Sequence, residues 1–150
     1  MAVRLVQCDE RGAPMESLGD LPEMLAQNCE GTAALFASIG FAPPWVGYLT
    51  VADGRPVGGC AFIGAPKEGA VEIAYYVLEQ FEGRGFSTQA VARMIEIARR
   101  ADAGVTLTAK TLPKENPSTS ILRKNGFQFA GETSDEEIGL AWAWALPAGG

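Results

Sequence analysis

The sequence predicts a mixed α/β fold (α+β), with a sheet of about seven strands flanked by about four helices, in one domain over residues 1–150. Three observations carry this reading. Short runs rich in β-branched and aromatic residues recur along the chain and are punctuated by glycine and proline. One stretch, Ala90 to Ala101, instead places apolar residues three and four apart, the spacing of an amphipathic helix. Strands follow strands directly in the first half and again at the end, so the order is not the strict alternation of a doubly wound sheet. At 150 residues and 47% hydrophobic, the chain is long enough to bury one substantial core.

The elements follow in order. Val3 to Gln7 is apolar and β-branched and reads as a first strand. Leu21–Cys29 and Thr32–Ile39 read as two short helices, with Asp20 before Pro22 as a start signal and Gly40 as a stop. Trp45–Ala52 and Pro56–Ile63 form a hairpin turning at Asp53-Gly54, a dipeptide that tolerates the positive φ of a tight turn. The run Val71–Leu78, VEIAYYVL, is nearly all apolar, as a central strand buried on both faces must be. From Ser87 or Thr88 the helical period begins, and Gly104 is placed to end that helix in a left-handed conformation. Val105–Thr111 is a further strand; Ser118 has the chemistry to cap a short helix through Lys124, which Gly126 stops. Phe127–Gly131 and Ile138–Leu146 close the fold around an acidic turn, and the Trp-Ala alternation near the end puts Trp142 and Trp144 on one face. The tail from Pro147 to Gly150 is expected to fray.

Composition excludes several chemistries. There is no histidine, so a Ser-His-Asp triad, a Cys-His pair and an HExxH zinc site are all absent. Cys8, Cys29 and Cys60 have no metal-ligand spacing, and each is expected to be a small buried hydrophobe; no metal is expected. A net charge of −6 disfavours nucleic acid as a partner. No run of about 18 apolar residues occurs, so no membrane span is expected, and the protein is read as soluble and cytoplasmic. Charge is uneven: residues 1–75 carry four basic and nine acidic side chains, and residues 76–150 carry eight and nine. An anionic ligand therefore belongs with the second half, a cationic one with the first.

The stretch EQFEGRGFSTQAV places Gly83-Arg84-Gly85 between the central strand and the amphipathic helix. Glycine there lets backbone N–H groups approach a ligand, and the helix N-terminus favours negative charge, so phosphate is a natural guest. A plain steric turn needs glycine as well, and spacing alone does not choose between the two. Neither a Walker P-loop nor a GxGxxG fingerprint is present.

The wider context resembles a known family. VEIAYYVLEQFEGRGFSTQAVARMIEIA is similar to the acyl-coenzyme A binding core of the GNAT N-acetyltransferases, with the six positions Glu82 to Ser87 standing on the pattern Q/R-x-x-G-x-G/A. Downstream, Asn116, Ser118, Leu122, Lys124, Gly126 and Phe127 resemble the series of the ribosomal-protein-serine-type branch, and AWAWALP resembles its last strand. Glu82 and Ser87 depart from the pattern at its two ends.

The resemblance implies a mostly antiparallel sheet with a splay between its central strands. It also implies acetyl transfer from acetyl-CoA, a cosubstrate, to a primary amine by direct attack in a ternary complex. In that reading the pantetheine arm lies along the strand Ile73 to Leu78, with Tyr76, Val77 and Leu78 among its binding residues and amides near Val77 and Leu78 polarising the thioester carbonyl. Gly83, Arg84, Gly85, Phe86, Ser87 and Thr88 hold the pyrophosphate, and Asn116 binds the pantetheine or a water. Glu72 is the candidate base, with Glu30 as an alternative, and burial is expected to tune it. Ser118 is the candidate acid. Tyr75 and Tyr76 lie on opposite faces of one strand, so at most one is expected to face the cleft. Trp142 and Trp144 either pack in the core or flank the acceptor. The acceptor is a small-molecule amine or a protein N-terminus, cationic by the charge distribution, and the protein a monomer or homodimer. Two other readings stay open: a catalytically degenerate acyl-CoA-binding or interaction protein, and a structural α/β module in which the glycines only make the turn.

Overall fold

The apolar run VEIAYYV becomes the middle strand of seven, but it is covered on one face only, with Val71 and Ile73 buried and Ala74 exposed. In the computed structural model, which describes residues 2–148, the order is β1 (Val3–Gln7), α1 (Glu23–Ile39), β2 (Gly47–Ala52), β3 (Arg55–Phe62), β4 (Ala70–Val77), a 3-10 turn (Glu79–Phe81), α2 (Phe86–Ala101), β5 (Thr106–Thr111), α3 (Pro117–Lys124), β6 (Gln128–Asp135) and β7 (Gly139–Leu146). Gly149 and Gly150, the end of the expected frayed tail, lie outside the described residues, as does Met1.

The sheet runs β1-β2-β3-β4-β5-β7-β6, and every neighbouring pair is antiparallel except β4 with β5. That parallel pair is short. It holds only from Ala70 opposite Thr106 to Glu72 opposite Thr108, after which the two strands have no further partners in each other. The remainder of β4, Ile73 to Val77, is paired on its β3 side alone.

Strand alternation sorts the core. Val71 and Ile73 of β4, Leu107 and Ala109 of β5 and Trp144 of β7 pack in one cluster with Val91, Met94 and Ala98 of α2 and Leu122 of α3. A second patch seats Phe86 and Ala90 of α2 against Val3, Ala52 and Val57. On the other face, Leu25 of α1 packs with Cys8, Leu49 and Leu78. The Trp144 indole N–H, buried with the rest of its ring, donates to Thr111 Oγ1 at 3.0 Å, so the largest core side chain leaves no polar atom unpaired.

Several expectations are corrected. The two short helices are one, Glu23–Ile39, which leaves three α-helices among the described residues in place of four. Gly31 sits inside the helix, an interruption that costs only about 1 kcal/mol relative to alanine and is tolerated. Asp20 does not cap it; Pro22 stands at the N-cap without a side-chain bond, while Gly40, at φ 95°, does stop it. Gly104 has no left-handed φ, because α2 ends on the extended Asp102. Ser118 is inside α3 and does not cap it: Asn116 Oδ1 accepts from Thr119 N–H at 3.0 Å and Thr119 Oγ1 accepts from Asn116 N–H at 3.1 Å, a reciprocal box. The hairpin turn at Asp53-Gly54, with φ of 54° and 76°, is as the dipeptide demands.

Candidate active site

A cavity of about 740 Å³ opens where β4 and β5 part. Its walls are β4 from Tyr75 to Val77, the turn and start of α2 from Phe81 to Thr88 apart from Arg84, and the first turns of α3, including Ser118 and Ile121. The gap in the sheet is thus bordered by the elements that the turn sequence had marked.

The backbone of β4 decides what faces this gap. Leu78 N–H donates to Val57 O and Ile63 N–H donates to Glu72 O, each at 2.8 Å, so the even-numbered residues of β4 turn their polar groups to β3. Alternation then turns those of Val71, Ile73, Tyr75 and Val77 toward β5. The ladder with β5 ends at Glu72 and Thr108, so the amides of Tyr75 and Val77 point into the cleft with no strand to meet them. Unpaired main-chain donors in a strand interior are costly unless a ligand completes them. Leu78, expected to share this role, has its N–H committed to Val57 O and is only 3% exposed. Tyr75 supplies the amide that sequence reasoning missed; the odd-even phase of the strand was the signal that held it.

At the mouth, Gly83 and Gly85 have φ of 78° and 79° and no atoms within 4 Å of where a Cβ would stand. Gly85 is the N-cap of α2, with no side-chain cap and no acidic residue in the first helical turn. The leading N–H groups of α2, beginning at Phe86, are therefore free for an anion. Ser87 and Thr88 line the cleft beside them, and so does Lys124, a cation the sequence reading did not assign. Arg84 is exposed and lies over the Phe81 ring, its Cζ 5.5 Å from the centroid. Glu82 is exposed in the same wall.

Both tyrosines border the cleft, and their side chains part to opposite faces of the sheet, Tyr75 toward the core under α2 and Tyr76 toward Cys8, Leu25 and Leu49. Tyr75 donates to the Ser118 backbone O at 3.3 Å. Burial pushes its phenol up to about 12, while the Ser118 side-chain hydroxyl beside it acts in the opposite direction. Burial also raises Tyr76, whose buried hydroxyl has no partner among the described residues; its ring lies over Gly59, where a Cβ would come within 2.8 Å. Ser118 lines the cleft, its side chain beside the Tyr75 phenol. Asn116 is not in the wall and its Oδ1 is held as the cap of α3.

Glu72 sits at the last β4–β5 pair, on the face opposite α2. The expected burial is not found: its side chain is 37% exposed, 3.9 Å from Lys110 Nζ, which lies equally far from Asp135. The sheet is open there, with Ala74 exposed beside it. Glu30 is exposed on α1, and neither it nor Glu72 lines either cavity. Trp144 is core, and Trp142 packs half-buried against Phe129 at 5.4 Å.

A smaller cavity of about 200 Å³ lies across β4 from the first and shares Tyr75 and Tyr76 with it. Cys8, Cys29, Cys60, Asn28 and Thr32 line it, and no charged side chain does. Among the described residues no group of three or more potential ligands is placed to hold a metal ion, and no helix is long and apolar enough to cross a membrane.

A cleft between two diverging parallel strands, with free strand amides inside and a glycine turn leading into a helix at its mouth, is shaped for an extended ligand with an anionic end. The chain belongs to the GNAT acetyltransferases: the model of the Acetyltransferase (GNAT) domain matches residues 15–128. Solved structures with the same fold include aminoglycoside acetyltransferase AAC(6')-Ib in complex with coenzyme A, at 17% identity and a TM-score of 0.59, over 68% of this chain and 65% of that one. Mycobacterium smegmatis RimJ in complex with CoA-disulfide is similar at 22% identity and a TM-score of 0.67, over 83% and 61%. A Salmonella typhimurium acetyl transferase that modifies the N-terminal serine of ribosomal protein L7/L12 is similar at 19% identity and a TM-score of 0.67, over 97% and 95%. No curated protein sequence matches the chain.

Proposed function

We propose that the protein is an N-acetyltransferase that moves the acetyl group of acetyl-CoA to a primary amine by direct attack in a ternary complex. The observation that carries this reading is the pair of unpaired amides, Tyr75 and Val77, facing a cleft whose mouth is the Gly83–Gly85 turn. Main-chain donors fixed in a strand need no reorganisation when a carbonyl oxygen gains negative charge, the requirement for stabilising a tetrahedral intermediate.

The turn and the first turn of α2, Gly83 to Thr88, hold the pyrophosphate. Val77 and Tyr75 bind the pantetheine and polarise the thioester carbonyl. The amine nitrogen attacks that carbon, the C–S bond breaks, and the nitrogen's proton must leave while the thiolate gains one. Ser118, whose hydroxyl lies in the wall, donates toward the sulfur and regains its proton from water. Glu72, at the apex of the gap on the open face, takes the amine proton directly or through water. A lysine-like amine has an ordinary pKa of about 10.4, so a base is needed at neutral pH. The uncharged 200 Å³ cavity behind Tyr76 receives the group that carries the amine. A pocket without carboxylates favours a small neutral group, such as the first residue of a protein, over a polycation. Relatives that act on a ribosomal-protein N-terminus and on aminoglycosides bracket this choice.

The deciding experiment is thiol release from acetyl-CoA with a panel of N-terminal peptides and small amines. Amine-dependent release in the wild type, with loss in Glu72→Gln and Ser118→Ala, supports the reading. CoA binding with no release for any amine would instead leave a degenerate CoA-binding protein.

A further inference from the structure

The ring of Phe81 lines the mouth of the cleft and carries two guanidinium groups, not one: Arg84 Cζ and Arg55 Cζ each lie 5.5 Å from its centroid. Arg84 belongs to the glycine turn. Arg55 comes from another part of the chain, the first residue of β3, directly after the Asp53-Gly54 turn. Both side chains are exposed, and neither takes part in an ion pair among the described residues. A shared ring keeps the two cations within twice the quoted distance of one another.

We propose that Arg55 is a phosphate-binding residue of the coenzyme A site, acting with Arg84 as a cation pair set by Phe81. The inference rests on the acetyl-CoA reading above. Its physical motive is the charge of the mouth. Glu79 and Glu82 are exposed on the segment between β4 and the glycine turn, and Glu82 is part of the cleft wall, so an incoming phosphate meets two carboxylates. Arg84 and the α2 N-terminus face them without help from the turn itself, and Arg55 adds the second full positive charge. A guanidinium held over an aromatic face by cation–π attraction still offers its N–H groups to phosphate oxygens. The contact also restricts two long side chains before the ligand arrives, which lowers the ordering cost of binding. At an exposed site a cation–π contact contributes only about 0.5–1 kcal/mol, enough to orient the arginines and too little to withhold them from a phosphate.

The test is calorimetric binding of coenzyme A and of dephospho-CoA, which lacks the 3′-phosphate, to the full chain at two salt concentrations. Arg55→Ala is expected to weaken binding about five- to tenfold and to flatten its salt dependence, with Tm unchanged. A loss confined to coenzyme A places the contact at the 3′-phosphate, and an equal loss for both ligands places it at the pyrophosphate; either supports the proposal. Phe81→Leu, which keeps an apolar side chain but removes the ring, is expected to weaken binding about threefold. Arg100→Ala, an exposed arginine at the far end of α2, serves as the control with no effect. Arg55→Ala that binds both ligands as the wild type does overturns the proposal. Wild-type protein that binds neither ligand overturns the acetyl-CoA reading instead.

Discussion

Tyr75 and Ser118 are joined across a gap in the sheet: the phenol on β4 donates to the backbone carbonyl at the start of α3, at 3.3 Å. This bond crosses the two walls of the cleft at a level where no strand pairing does. Removing it with Tyr75→Phe is expected to cost about 1 kcal/mol in denaturant unfolding. The larger effect should fall on the KM for acetyl-CoA, raised several-fold while kcat stays within twofold. A kcat that falls with KM unchanged would give the phenol a chemical role instead.

Glu72→Gln and Ser118→Ala separate chemistry from binding. General acid–base groups typically contribute about 10²- to 10⁴-fold, so Glu72→Gln should lower kcat by about 10²-fold or more while calorimetric CoA affinity holds within twofold. Ser118→Ala should lower kcat less, since water can also protonate a departing thiolate. Unchanged kcat in Glu72→Gln removes it as the base.

Glu82→Arg should tighten CoA binding by about three- to tenfold at low salt, and the gain should shrink at high salt, because it replaces a carboxylate in the cleft wall with a cation. Unchanged affinity would mean that the carboxylate turns away from the phosphates.

Gly58→Ala reports on the wall itself. A Cβ at Gly58 would stand 2.3 Å from the Tyr76 carbonyl oxygen and 2.8 Å from Val77 Cα, so β4 must move at the residues that carry the free amides. Destabilisation of about 1–3 kcal/mol is expected, with CoA affinity falling further than Tm alone explains. Gly69→Ala, at φ 79° with open space around it, supplies the comparison: backbone strain without a clash and without an effect on CoA.

Alkaline pH should unfold the protein in a defined window. Burial pushes Cys8 and Cys60 from 9.0 up to about 12. Below pH 9 the thiols are protonated in both states and stability does not depend on them. Between pH 9 and 12 the unfolded chain releases protons that the folded chain keeps, so each thiol lowers stability by about 1.4 kcal/mol per pH unit. Tyr48 and Tyr75, raised from 10.0 to about 12 by burial, add to the upper part of the window. Urea midpoints from pH 8 to 11 should fall steeply above 9, and Cys60→Ala should reduce the slope.

Much of this was legible in the sequence. Hairpin, central strand and amphipathic helix each announced themselves through local rules: Asp53-Gly54 for positive φ, the apolar run before Glu79, the three-four spacing after Ser87. Position in the sheet was not local. That Glu72 lies open to solvent follows from which face each helix covers, and Val71 and Ile73, not Glu72, face α2. The cap of α3 was misassigned because Asn116, Ser118 and Thr119 all have capping chemistry, and only the turn geometry selects among them. Arg55 was invisible as a site residue because its neighbour in function, Arg84, is brought to it by Phe81 and not by sequence.

The short β4–β5 ladder makes Tyr75 and Val77 behave as loop amides inside a core strand. Their backbone deuterium uptake should be fast in the free protein, in contrast to Ala74 and Tyr76 on the β3 side of the same strand. When coenzyme A binds, the pattern along β4 should become uniformly slow. The protein thus carries a two-residue occupancy gauge, readable without any acceptor amine, that marks whether the sheet has been completed by something other than protein.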